Sequence, residues 1–367
     1  MPAEWEPHTA TWLAWPHNED TWPEGLQQVQ EIYVHMIAAL QPYERLHLLV
    51  NDDAMAAQVS QRLAAHGLTH DNLTLHECPT VDAWLRDSGP IFLLPAARSG
   101  QPPALVDWRF NAWGGKYPEM FGDDDLPRQI ANVLRMRRFQ PGIVLEGGSI
   151  DVNGFGSCLT TEQCLLHPNR NAHLTRADIE RYVHDFLNVR HVIWLGNGIA
   201  GDDTDGHVDD IARFVNPTTV VCALIDDPQD ANYAVLQDNF WRLQAATDQD
   251  GRSLQVIPLP MPGPVCADDE RLPASYANFY IANGVVLVPI YDHPHDQVAL
   301  DVLQKVFPNR HVVGIPCASL VSGLGAIHCV TQQQPAPSST DHLAAAASWP
   351  DVAPPDGPPP NLDGRLG

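Results

Sequence analysis

Long apolar runs are missing from this sequence: none approaches the roughly 18 residues that a membrane-spanning helix needs. Basic residues are scarce as well. Lysine and arginine number 21 against 45 aspartates and glutamates, a formal charge of −24. Phosphate recognition needs clustered positive charge, so nucleic acid and anionic membranes are excluded as partners, and a small cationic partner suits the field better. The seven cysteines, at 78, 158, 164, 222, 266, 317 and 329, are odd in number and include no C-x-x-C pair. Neither a disulfide framework nor a zinc site is expected, and any functional cysteine is a free thiol. There is no G-x-G-x-x-G after a strand and no G-x-x-x-x-G-K-[ST], which leaves the dinucleotide and P-loop readings unsupported. The start, MPAEWEPHTATW, has acids and a proline where a signal peptide would carry lysines and an apolar core, so a cytoplasmic location is expected.

What is present is a chain of 367 residues with 44% hydrophobic content, enough for a sizeable core. From residue 334 the composition turns to proline, alanine and aspartate, so 1–333 reads as one domain and 334–367 as a disordered tail. DDAMAAQVSQRLAAHG and HDQVALDVLQKVFP carry apolar residues at helical spacing. RLHLLV, HVIWL, TTVVCALI, GVVLVPI and HVVGIP are short β-type runs bounded by breakers. The chain is therefore α/β. A looser repeat overlies these elements: a polar or glycine-rich turn followed by a β-type run recurs at WLRDSGPIFLL, LEGGSIDVNGFGSCLTT, DGHVDDIARFV, SYANFYIANGVVLV and GLGAIHCVTQ. The polar residues Asp87, Glu146, His207, Asn278 and Cys329 are separated by 59, 61, 71 and 51 positions. Such spacing suggests five pseudo-symmetric units that deliver five chemical groups to one pocket.

Cys329 stands where a glycine-containing loop meets a strand, a place that can expose a nucleophile, although most cysteines are buried packing groups. His207 is flanked by Asp205 and Asp209, and strand alternation would put all three on one face. A nearby carboxylate would orient the imidazole and raise its pKa. A solvated acidic turn, or a magnesium, manganese or zinc site, are the alternatives for GDDTDGHVDD, though neither EF-hand spacing nor H-x-x-x-H accompanies it. Asp87 has Trp84 beside it as an aromatic face, and Arg86 as a counter-charge with which it could simply pair. Glu146 precedes two glycines that let backbone approach a ligand closely, and a buried carboxylate there is costly unless a cation joins it.

Taken in order, MPAEWEPHTATWLAWPHNEDTWP, WLRDSGP, EGGSIDVNG, GIAGDDTDGHVDDIARF, SYANFYIANG, DHPHD and IHCVTQQ resemble the agmatine deiminases, within the guanidine-modifying superfamily that also holds arginine and peptidylarginine deiminases. The likeness covers nearly all of residues 1–333. It implies a five-bladed pseudo-symmetric α/β propeller of ββαβ-type units. It implies hydrolysis of agmatine to N-carbamoylputrescine and ammonia, a step of polyamine and putrescine biosynthesis, without metal or organic cofactor. Carried over by position, Cys329 is the nucleophile, His207 the general acid and base, and Asp87 and Asp209 the pair that grips the guanidinium, with Glu146, Trp84 and Asn278 in the substrate pocket. The family's usual G-G-G-N-I-H-C reads Gly323-Leu324-Gly325-Ala326-Ile327-His328-Cys329 here. That departure keeps two alternatives open: a deiminase or amidinotransferase acting on arginine, peptidyl-arginine or another guanidine, and a catalytically impaired guanidinium-binding paralogue. Association into a homo-oligomer is compatible with all of them.

Overall fold

The same three-strand arrangement is built five times along the chain. The structure, a computed structural model, describes residues 1–23, 25–96 and 99–337. In each repeat a first strand pairs antiparallel with a second, and the second pairs parallel with a third across a helical connection. Such a parallel pair needs a crossover, and helices of 9 to 15 residues supply it. Ile91–Leu93, Ala104–Val106 and Arg137–Phe139 form one sheet; Asp151–Val152, Ser157–Thr161 and His191–Leu195 the next. Ala212–Asn216, Thr219–Leu224 and Gln255–Pro260 follow, then Tyr280–Ile281, Val285–Ile290 and His311–Pro316. The remaining sheet joins the two ends of the described chain: Thr331–Pro335 pairs antiparallel with His8–Ala14, which pairs parallel with Arg45–Val50 and so to Leu73–Glu77.

Local sequence explains the elements. The middle strands Val285–Ile290 and Thr219–Leu224 are almost wholly buried and accordingly read as near-continuous apolar runs, VVLVPI and TVVCAL, without polar alternation. Helix Asp53–Ala65 starts where Asp52 accepts the Met55 amide at 2.7 Å, and Arg176–Leu187 starts on a Thr175–Asp178 capping box. The tryptophans of the first segment serve packing: Trp12, Trp15 and Trp22 are buried, and Trp22 lies 5.4 Å from the Trp84 ring.

The last strand runs to Pro335, beyond the boundary after 333 read from composition, because Gln334 and Pro335 are paired to Ala10 and His8. Met1–Ala336 form one compact unit. Most of the expected tail, 338–367, lies outside the described residues. No helix among the described residues is long and apolar enough to cross a membrane.

Candidate active site

Each of the five singled-out polar residues precedes the first strand of a different sheet: Asp87 before Ile91, Glu146 before Asp151, His207 before Ala212, Asn278 before Tyr280 and Cys329 before Thr331. The repeat therefore carries one group per unit to a common place. Cys329 Sγ lies 3.2 Å from Asn278 Nδ2 and 3.9 Å from Asp209 Oδ2. Asn278 also holds the backbone beside Cys329, its Oδ1 accepting the His328 amide at 2.9 Å, while Nδ2 donates to Asp210 Oδ1 at 3.0 Å.

Asp87 accepts the indole N–H of Trp113 at 2.9 Å and the Gly148 amide at 2.9 Å, and its Oδ1 is 3.7 Å from His207 Nδ1. Gly148, in the turn that Glu146 opens, stands between His207, Asp87 and Asp209. Glu146 is completely buried and Arg170 supplies its cation, Nε donating to Oε1 at 2.6 Å. Trp84 lines the same cavity as Asp87 and Cys329, a space of about 220 Å³.

The acidic stretch departs from strand alternation. Asp205 and Gly206 take left-handed φ of +66° and +88°, and Val208–Asp210 is a 3₁₀ turn. Asp205 thus points away from His207, to Arg170 and to Lys116 at 2.8 Å. His207 and Asp209 go inward; Asp202 caps the turn by accepting the Thr204 and Gly206 amides; Asp203 faces the cavity, bonded to the Tyr117 hydroxyl. Asp87 is not paired with Arg86, whose guanidinium bonds Gln332 and Gln333 instead. Residues beyond the sequence reading complete the site: Trp113, Tyr117, Arg170 and Asp210. The glycine pair after Trp113 was a visible signal; Arg170 in HPNRN carried none.

Burial and like charges set the protonation. Burial, then Asp209, Asp210 and Asp87, push the Cys329 thiol well above its usual value. Burial would lower His207, but Asp87 foremost overrides it and holds the imidazole well above its ordinary range. Asp209 is brought below the usual carboxylate range, burial being outweighed by His328. Among the described residues, eight buried side-chain nitrogen and oxygen atoms have no hydrogen-bond partner, and four of them are here: both His207 ring nitrogens, Glu146 Oε2 and Asp209 Oδ1. Folded proteins leave few such groups unmet, so the cluster points to a polar ligand. Glu146, Cys164 and His207 offer ligand atoms within 4.8 Å of one another, but Arg170 already balances the carboxylate, so the donor set does not call for a metal ion.

Comparison with known proteins places this α/β fold, with its buried cluster of thiols, imidazoles and carboxylates and its unmet polar atoms, among the deiminases. The chain belongs to the Porphyromonas-type peptidyl-arginine deiminase family, whose model matches residues 1–335. Similar proteins include an agmatine deiminase of Ectopseudomonas mendocina, 40% identical over 92% of this chain and 95% of that one. An agmatine deiminase of Medicago truncatula is 39% identical over 92% of this chain and 96% of its own length. The solved agmatine deiminase of Enterococcus faecalis superposes with a TM-score of 0.84 at 35% identity, covering 91% of this chain and 95% of that one.

Proposed function

We propose that the chain hydrolyses agmatine to N-carbamoylputrescine and ammonia, with Cys329, His207, Asp87 and Asp209 as its catalytic residues, as a cytoplasmic step of putrescine formation. The observation that carries this reading is the charge of the cavity. Asp20, Asp87, Glu119 and Asp203 line it, and no lysine or arginine is among the described lining residues. A substrate with a cation at both ends suits these walls, whereas a substrate carboxylate would want an arginine. Trp84, Trp113 and Tyr117 flank the space with aromatic surface for a methylene chain.

A planar guanidinium offers paired N–H donors, which Asp87 and the free Asp209 Oδ1 accept, setting the central carbon against Cys329 Sγ. The substrate's charge lowers the thiol's pKa when it binds, offsetting the carboxylates that raise it in the empty site. Attack forms the S–C bond and a tetrahedral adduct; His207 gives its proton to the departing ammonia, leaving an S-alkylthiouronium. The neutral imidazole then takes a proton from water, whose oxygen attacks the same carbon; the C–S bond breaks, the adduct's hydroxyl proton passes to solvent where it meets the released ammonia, and the thiolate, the protonated imidazole and the ureido product remain. Five sheets of one pattern, each contributing a residue, support the arrangement of a five-bladed propeller around this point.

The test is incubation of the purified protein with agmatine, arginine and a peptidyl-arginine separately, in EDTA, with ammonia and ureido product assayed and Cys329→Ala as control. Turnover of agmatine that Cys329→Ala abolishes is expected. Preference for arginine, or activity that EDTA removes, would overturn the reading.

A further inference from the structure

Beside the nucleophile, His328 turns away from the cavity into a buried ladder of charges, of which the reaction described above uses only Asp209. Its Nδ1 lies 2.7 Å from Asp209 Oδ2 and its Nε2 lies 2.8 Å from Glu4 Oε2. Glu4 is paired in turn with Arg213 at 2.9 Å and Arg86 at 3.4 Å, and its Oε1 accepts the Ile281 amide at 2.8 Å. Arg213 continues to Asp151. All six side chains are buried, so three carboxylates meet two guanidiniums and one imidazole away from water. Glu4 is held well below its usual range, burial being outweighed by Arg213 and His328, as Asp209 is by His328.

The ladder solves a problem specific to Asp209. That carboxylate shares its surroundings with Asp210, Asp87 and Cys329, and with His207. Left alone it would take up a proton or turn toward a neighbour. Held by His328, it keeps Oδ2 engaged and Oδ1 without a partner.

We propose that Glu4 and His328 are positioning residues for the reaction: through the imidazole they hold Asp209 with one oxygen fixed and the other presented to the guanidinium. The proposal rests on Asp209 being a guanidinium-binding carboxylate, as read above. It makes the first residues of the chain part of the active site although Glu4 touches neither substrate nor thiol.

The experiment compares His328→Gln and Glu4→Gln with the wild type, all full-length and counted by titration of folded protein. For His328→Gln, KM for agmatine is expected to rise about 10-fold or more with a much smaller fall in kcat, and the acid limb of kcat/KM to move to higher pH. Glu4→Gln keeps an acceptor for Nε2 and is expected to shift both parameters the same way by about 2- to 5-fold, which guards against a His328 variant that does not fold. A role in folding alone would lower yield and leave KM and the acid limb of the folded fraction where they were; that result in both variants overturns the proposal. Cys329 alkylation provides a readout free of turnover: the preference for chloroacetamidine over iodoacetamide should fall about 5-fold in His328→Gln, and an unchanged preference counts against the proposal. Should the wild type turn over a different guanidine, the substrate reading fails while the same KM shift on that guanidine still carries the positioning role.

Discussion

A methyl group on Gly148 would stand 2.6 Å from His207 Nδ1, 2.8 Å from Asp87 Oδ1 and 3.0 Å from Asp209 Oδ2. Three groups of the proposed machinery would all have to move. Gly148→Ala is therefore expected to lower kcat/KM about 100-fold, since an ångström of misplacement costs that much, while overpacking costs about 1–3 kcal/mol of stability. Activity within a few-fold of wild type, measured on folded protein, would show that the trio is not held as described. Leu324 presents the opposite case. It lines the cavity with φ at +71°, between Gly323, packed on the Trp22 indole, and Gly325, packed on Trp84 and Cys329. A left-handed leucine is strained by about 1–2 kcal/mol. Leu324→Gly should accordingly be more stable than Leu324→Ala by about 1 kcal/mol in urea unfolding, because only glycine removes the strain; equal stabilities would mean the loop relaxes. At this scale the placing of Cys329, His207 and Asp87 each before the first strand of its own sheet was legible in the repeat of polar turns and β-type runs. Arg170 was not, since its role comes from where Glu146 folds to and not from its own neighbours in the chain.

Elements were legible where hydrophobic period decides them and illegible where backbone sign does. Arg45–Val50, His191–Leu195 and His311–Pro316 have the bounds that their apolar runs suggest. The alternation expected for Asp205, His207 and Asp209 failed because two successive left-handed residues, Asp205 and Gly206, reset the direction of every side chain that follows. The turn Ala112–Gly115 goes further, with φ of +52°, +52°, +87° and +79° in succession. The glycines announce a turn, but nothing announces that an alanine and a tryptophan share its left-handed backbone. That strain sets the Trp113 indole on Asp87. The helical turn Pro168–Asn171 has an equally specific task, delivering Arg170 to Glu146 with both side chains fully buried. Arg170→Met would leave a buried carboxylate uncompensated, so a loss of about 3–5 kcal/mol is expected in denaturant unfolding. Adding Glu146→Gln should recover part of it, as a double-mutant cycle would show; strictly additive losses would mean the pair is not coupled.

Over the whole molecule, the excess of acid makes pH a stability variable with a definite sign. Asp123 is pushed up to about 6, chiefly by burial, and burial likewise raises Asp210 and Asp87. For these groups the folded chain binds a proton more readily than the unfolded one, so their contribution is complete below about pH 4 and is lost as pH rises through the folded values. His207, raised as well, contributes fully below about pH 6.5 and fades above. Glu4 and Asp209 are lowered, so their contribution is present above about pH 4 and disappears only as pH falls through their folded values. Self-repulsion among charges summing to −24 acts in the same sense as the first set. Urea midpoints should therefore be higher at pH 5.5 than at pH 8. Agmatine reverses part of that gap. In the proposed binding mode its guanidinium favours the ionised form of Asp87, the contacting carboxylate that burial raises, so binding tightens as pH rises through that group's titration. In Cys329→Ala, which does not consume it, agmatine at 100 times its dissociation constant adds about 2.7 kcal/mol, and at one fixed concentration the increment should be larger at pH 8 than at pH 5.5. Equal increments would mean that Asp87, whose burial raises it in the empty protein, does not hold the guanidinium.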